Sequence, residues 1–227
     1  MPENRRYIGF IGDLIGSREI KSRAQAQTAL QEALNQVNAR YQDCIASRLV
    51  ITLGDEFQGL LMPSAPFLQM LDEIEARLLP YACRFGIGLG TMATAINPEM
   101  SIGADGEAFW LARAAITSVH DSDDYGKTRT RLRGASAATE PLINDLLALS
   151  DGMKRGWARK QQQTFADLLF QGIYQEDFDQ TAAAKRMGIT PEALYGRLKL
   201  SGIKTYLRSR ANLQRMIATQ EKREAVL

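Results

Sequence analysis

Two aspartates stand beside glycines at the ends of apolar runs. Asp13 follows Gly12 and precedes Leu14-Ile15-Gly16-Ser17, and Asp55 sits in Leu53-Gly54-Asp55-Glu56-Phe57. They lie 42 residues apart, which leaves room for one helix and one strand between them. That spacing can bring two carboxylates to one end of adjacent strands, where they repel unless a divalent cation or a shared proton neutralises them. Mg2+ suits the role, because it takes oxygen ligands, needs few from the protein and completes its shell with water and substrate phosphates. Paired metals then activate an attacking hydroxyl and stabilise a leaving phosphate. Asp is equally favoured as a helix cap and in turns, so the pair also has a purely structural reading. The rest of the chemistry is sparse. With His120 as the single histidine and no CxxC pair around Cys44 and Cys83, there is no zinc site and no Ser-His-Asp or Cys-His set to propose. The cysteines read as neutral or buried thiols. His120, at a helix end beside acidic residues, reads as structural.

The elements that must position the aspartates follow from periodicity. Residues 7–11 form a short apolar strand with Asp13 at its exit, and residues 23–41 repeat apolar positions at three and four, an amphipathic helix. Residues 49–53 and 57–62 are two strands joined at Gly54-Asp55, a hairpin. Pro66 opens a second helix carrying Phe67, Leu71, Ile74 and Leu78 on one face, and Pro80 ends it. Residues 83–91 form a strand whose repeated glycines imply close approach of backbone or ligand. A third helix is expected over 107–119 and an edge strand over 128–133. Strands mixed with covering helices imply a mixed sheet in an α/β or α+β sandwich.

After the small polar stretch GASAAT (134–139) everything reads helical, with helices expected over 141–150 and 154–171. From Gln180 to Lys199 the pattern is a helix, a short turn and a second helix. Ala184 is small where helices cross, Gly188 permits positive φ, Ile189 plugs the corner, Thr190 caps and Pro191 opens the next helix. Leu194 and Leu198 face inward, leaving Glu192, Ala193, Tyr195, Arg197 and Lys199 outside, the layout of a recognition helix in a DNA major groove. Lys204, Arg208 and Arg210 beyond it are placed for phosphates. The other reading is a helical hairpin for dimerisation or partner binding. Charge is divided accordingly: residues 1–152 hold 14 Lys and Arg against 19 Asp and Glu, and residues 153–227 hold 14 against 7. A basic tail domain on an acidic body suits an anionic partner.

The first constellation resembles a known group. DLIGS after an apolar strand is similar to the first metal-binding motif of class III nucleotidyl cyclases, and LGDEFQGLL resembles the signature hairpin of diguanylate cyclases. RFGIGLG and GADGEAFWLARAA resemble the strand and helix that follow in both. The C-terminal segment, with its upstream tryptophan stretch WARKQQQTFADLLF, resembles response-regulator and sigma-type DNA-binding domains. The whole chain most resembles the SatD family of bacterial proteins. The resemblance implies an α+β, ferredoxin-like palm domain over residues 1–134, a connecting segment over 135–152 and an all-α helix-turn-helix domain over 153–227. It implies metal on Asp13 and Asp55, with the Leu14 carbonyl as a further ligand, and nucleotide phosphates beside Gly16, Ser17, Arg18 and Gly54. Glu56 is a second acidic ligand or a hairpin surface residue.

Several positions depart from those families. The lysine that reads the purine is replaced by Ile51, and the asparagine and arginine that steady the transition state fall at Trp110 and Ala114. Arg113 is one residue off, a helical rotation of roughly 100°. The phenylalanine-lysine pair of diguanylate cyclases is missing after DLIGS. Phosphoryl transfer needs placed donors for its charge, so these departures weigh toward binding rather than turnover. The expectation is a DNA-binding regulator with a cyclase-like domain binding Mg2+ and a nucleotide, working as a homodimer. A metal-dependent nucleotidyl transferase and a non-catalytic scaffold are the alternatives. The composition, 45% apolar and 24% charged, is that of a globular protein, and no apolar run reaches the ~18 residues of a membrane span, so a cytoplasmic protein is expected.

Overall fold

A computed structural model describes residues 5–19, 22–122 and 124–224 of the 227. The chain begins with β1 (Tyr7–Leu14), α1 (Arg23–Arg40), β2 (Ile45–Leu53), β3 (Glu56–Leu61), α2 (Phe67–Leu78) and β4 (Cys83–Gly90). α3 (Glu107–Ser122) and β5 (Thr130–Arg133) follow. The five strands form one sheet in the order β2-β3-β1-β4-β5. The first four pair antiparallel, and β5 joins β4 in parallel. A β-α-β-β-α-β chain with central β1 flanked by β3 and β4 is the ferredoxin-like arrangement, so the expected palm fold is present.

The two faces of the sheet are built differently. Ile8, Phe10 and Leu14 of β1, Phe57 of β3 and Phe85, Ile87 and Leu89 of β4 pack in one buried cluster with α1 and α2. The other face of β1 and β4 carries Gly9, Gly86 and Gly88. A Cβ on any of them would run into the backbone of α3 at Ala108 or Ala112. The glycines foreseen as a close-approach signal therefore admit a helix rather than a ligand. At the hairpin, Leu53 pairs with Glu56 across a two-residue loop, and Gly54 takes φ +64°, the Gly-first order that such loops favour.

The helical part comprises α4 (Glu140–Arg155), α5 (Arg159–Phe170), α6 (Gln180–Arg186), α7 (Pro191–Ser201) and α8 (Ile203–Glu224). α4 seals the sheet edge. Asn144 pairs with both the N–H and the C=O of Leu132, Glu140 accepts from the Gly134 amide, and Asp151 accepts from the Arg129 and Thr130 amides. An unpaired strand edge invites association, and here side chains of one helix satisfy it. This job also explains a difference from the sequence reading. The helix expected to stop at 150 continues through Arg155, because Asp151 and Lys154 must stand on one helix to reach β5 and α2. The break falls instead at Gly156-Trp157, so α5 starts at Arg159 rather than 154. A second buried cluster holds Trp157, Phe165, Leu168, Ala184, Leu194, Leu198 and Tyr206. The rings of Trp157, Phe165 and Tyr206 lie 5.0–5.3 Å apart. Leu213 and Ile217 near the end of α8 belong to the first cluster, so this helix ties the two cores together.

Candidate functional site

Strand alternation decides where each carboxylate goes. Asp13 shares the face of Gly9 and Ile11, under α3, and its register partners are Glu56 on β3 and Arg84 on β4. Both carboxylate oxygens of Asp13 are taken by Arg84, at 2.9 Å from Nε and 3.2 Å from Nη2. Glu56 is engaged in the same way: both its oxygens accept from Arg113 of α3, with Nη2 to Oε1 at 2.7 Å. The Arg113 hydrogen bonds, opposed by burial, hold the Glu56 carboxyl below its ordinary range, and the same bond raises Arg113. The neutralising charges at the sheet end are thus two guanidiniums.

Asp55 lies elsewhere. With Leu14, Ser17 and Gly54 it lines a cavity of about 120 Å³ under the start of α1, closed by Arg23, Ala26 and Gln27. Asp13 does not line it. The structure therefore gathers four of the expected site residues, Leu14, Ser17, Gly54 and Asp55, and leaves Asp13 on the other face. Gly16, at φ +66°, forms the exposed turn before Ser17, and the side chain of Arg18 lies outside the described residues. Among the described residues no three His, Cys, Asp or Glu side chains gather into a group able to hold a metal ion. With Arg84 on Asp13, the donors do not fit a two-carboxylate Mg2+ site. The cavity is also smaller than the ~300 Å³ at which small-molecule pockets begin. Arg84 and Arg113 were missed as site residues, yet a signal existed: Arg84 shares the alternation of Gly86, Gly88 and Gly90, the face that meets α3.

The remaining sites are simpler. Trp110 and Ala114 border a shallow groove of about 740 Å³ with Arg113 and Gln58, and Trp110 donates from Nε1 to Asp105 at 2.6 Å. His120 is exposed beside Asp121, 3.1 Å away. Burial pushes both thiols up, Cys83 most, and both cysteines are free, in keeping with neutral thiols.

On α7 the expected capping is present: Gly188 has φ +66°, and the Thr190 hydroxyl accepts the Ala193 amide at 3.2 Å. Leu194 and Leu198 are buried, while Glu192, Ala193, Tyr195 and Lys199 are exposed. Three basic residues have partners within the chain. Arg197 reaches the Thr164 hydroxyl at 3.3 Å, Lys204 lies 5.7 Å from the Phe178 ring centroid and Arg208 pairs with Glu176 at 2.9 Å. Arg210 corrects the sequence reading. It is fully buried and bound to Asp72 of α2 at 3.2 Å, so it is unavailable to phosphates. Asp72 also accepts from Lys154 (2.9 Å), Tyr174 (2.5 Å) and Tyr206 (2.7 Å). Burial raises its pKa, but Arg210, Lys154 and the two hydroxyls outweigh this, and the net shift is downward. Sequence offered one clue to this cluster: Asp72 stands four residues after Leu68, on the apolar side of its helix.

The model of the SatD family matches residues 7–217. No curated protein matches the chain. Among solved structures, two of a bacterial light-regulated adenylyl cyclase are each 10% identical with a TM-score of 0.42, covering 56% of this chain and 43% or 75% of that one. The chain thus spans under half the length of the first. A regulator of polyketide synthase expression from Bifidobacterium adolescentis is 15% identical with a TM-score of 0.27, covering 94% of this chain and 86% of that one. All three TM-scores lie below one half, so the fold assignment rests on the strand order and register. No described helix is long and apolar enough to cross a membrane.

Proposed function

We propose that this chain, which belongs to the SatD family, is a DNA-binding regulator whose helix-turn-helix, α6 to α7, is held rigidly against a cyclase-like palm. The observation that carries the reading is the bare face of α7. Thr190 and Pro191 start the helix, Leu194 and Leu198 anchor it, and Glu192, Tyr195 and Lys199 are left exposed. That is how a recognition helix is presented to a major groove. Arg197, Lys204 and Arg208 flank this face. Surface pairs such as Arg208 with Glu176 are worth only about 0–1 kcal/mol, so they yield to a phosphate at little cost. A homodimer would present two such helices to paired half-sites.

A second reading, metal-dependent nucleotidyl transfer at the palm, is favoured by the gathering of Leu14, Ser17, Gly54 and Asp55 around one cavity. It is disfavoured by the guanidiniums on Asp13 and Glu56.

Duplex binding decides between them. Log affinity for genomic fragments is expected to fall linearly with log salt, and Arg208→Ala to lower that slope by about one. Tyr195→Ala should weaken selected sequences by about tenfold or more if Tyr195 reads a base edge. Negligible binding at low salt, or new products from labelled triphosphates without DNA binding, would overturn the regulator reading.

A further inference from the structure

A second cavity lies away from the sheet end. It holds about 750 Å³ and lies where the palm meets the helical part. One wall is the end of α2 and the turn into β4, including Pro80 and Tyr81. The other is the corner between α4 and α5, with Trp157, and Phe165 behind it. Its volume falls in the ~300–1,000 Å³ range of small-molecule sites, and junctions between domains are where such sites concentrate.

The charges on its walls are unevenly committed. Asp72 and Glu75 are both held by Lys154, and Asp72 also by Arg210. Asp151 is held by two backbone amides of β5 and the segment before it. Arg129 and Arg155 remain. Both line the cavity, and neither forms an ion pair with any described carboxylate. Arg155 donates to the Gly126 carbonyl, a neutral acceptor. Two guanidiniums that no described carboxylate pairs, beside apolar and aromatic walls, suit an anion with an apolar body, because a guanidinium binds carboxylate or phosphate through paired N–H donors.

We infer that this junction cavity is a binding site for a small organic anion, an apolar or aromatic body with one carboxylate or phosphate head paired to Arg129 and Arg155. The ligand would touch the palm and the helical part at once, and would stiffen the corner through which α4 leads to α5 and α7. This is independent of the DNA reading, and the test uses no DNA.

The full-length protein is titrated by calorimetry with 2-naphthoate, 2-naphthyl phosphate and the neutral 2-naphthamide. Saturable binding of one anion per chain is expected, with the amide at least tenfold weaker. A preference between the two anions identifies the head group. Arg129→Met with Arg155→Met should weaken the anion at least tenfold. Gly152→Leu tests the location by filling the cavity. A Cβ there meets nothing within 4 Å, and Leu is the better helix former within α4, so this variant is expected to fold and to lose binding. The proposal is overturned if neither anion binds, if anion and amide bind alike, or if folded Gly152→Leu and the double variant both bind as wild type does.

Discussion

Asp151 sits in the edge seal between α4 and β5, almost wholly buried, and accepts two backbone amides rather than an arginine. Burial raises its carboxyl from 3.8 to about 6, with Lys154 pulling the other way. The folded state therefore binds this proton more tightly than the unfolded chain does. Below the unfolded value there is no penalty. Between about pH 4 and 6 stability falls as pH rises, and above 6 the whole cost, about 3 kcal/mol, is present. Asp72 behaves oppositely. Its carboxyl is lowered, so its contribution is present at neutral pH and is lost only as pH falls below the ordinary carboxylate range. The two windows do not overlap. Urea unfolding of wild type between pH 4 and 7 should show the downward slope of Asp151, and Asp151→Asn, which keeps an acceptor for the amides, should flatten it. Identical slopes in the two proteins would remove Asp151 as the source.

The register of three strands sets what the candidate metal pair can do. Because β1 lies antiparallel to both β3 and β4, Asp13 has Glu56 on one side and Arg84 on the other. Opposite charges facing each other across strands stabilise a sheet, whereas the two carboxylates alone would not. The arginine thus holds the place where a cation would serve. Arg84→Gln combined with Arg113→Gln should uncover an acidic pair of Asp13 and Glu56, each held by a guanidinium in wild type, and raise the affinity for Mn2+ by tenfold or more, as read by calorimetry, and Asp13→Asn in that background should abolish the gain. Equal affinity in wild type and the double variant would mean that the two arginines do not control access to the carboxylates.

Across the whole molecule, one buried carboxylate joins the parts. Asp72 of the palm binds Lys154 of α4, Tyr174 before α6, and Tyr206 and Arg210 of α8. Arg40 and Arg77 reach the same helical part at the Leu169 carbonyl and the Phe170 ring. Removing one partner from such a network strands the others in low dielectric, a cost of about 3–5 kcal/mol. Asp72→Ala is therefore expected to lose that much stability and to separate one calorimetric unfolding transition into two, palm and helical. A loss under about 1 kcal/mol with a single transition retained would show that the cores are coupled through Leu213 and Ile217 instead. Any signal passing between the palm and α7 has to cross this junction.

Local pattern was enough for the strands, the hairpin at Gly54-Asp55, the glycine face of β4 and the capped turn before α7, because period, glycine and capping residues act within a few positions. Asp13 and Asp55 were legible as unusual residues at strand ends. What they face was not, since the side a strand residue points to, and which residue lies opposite, is fixed by pairing between segments tens of residues apart. Arg84 and Arg113 became part of that site only through register and through the packing of α3. Arg210 shows the same limit at longer range. In the sequence it is one more cation in a basic tail, and only the folding of α8 against α2 turns it into the buried partner of Asp72. Charge is additive along a chain, but its availability depends on which charges meet, and that was decided by the tertiary structure.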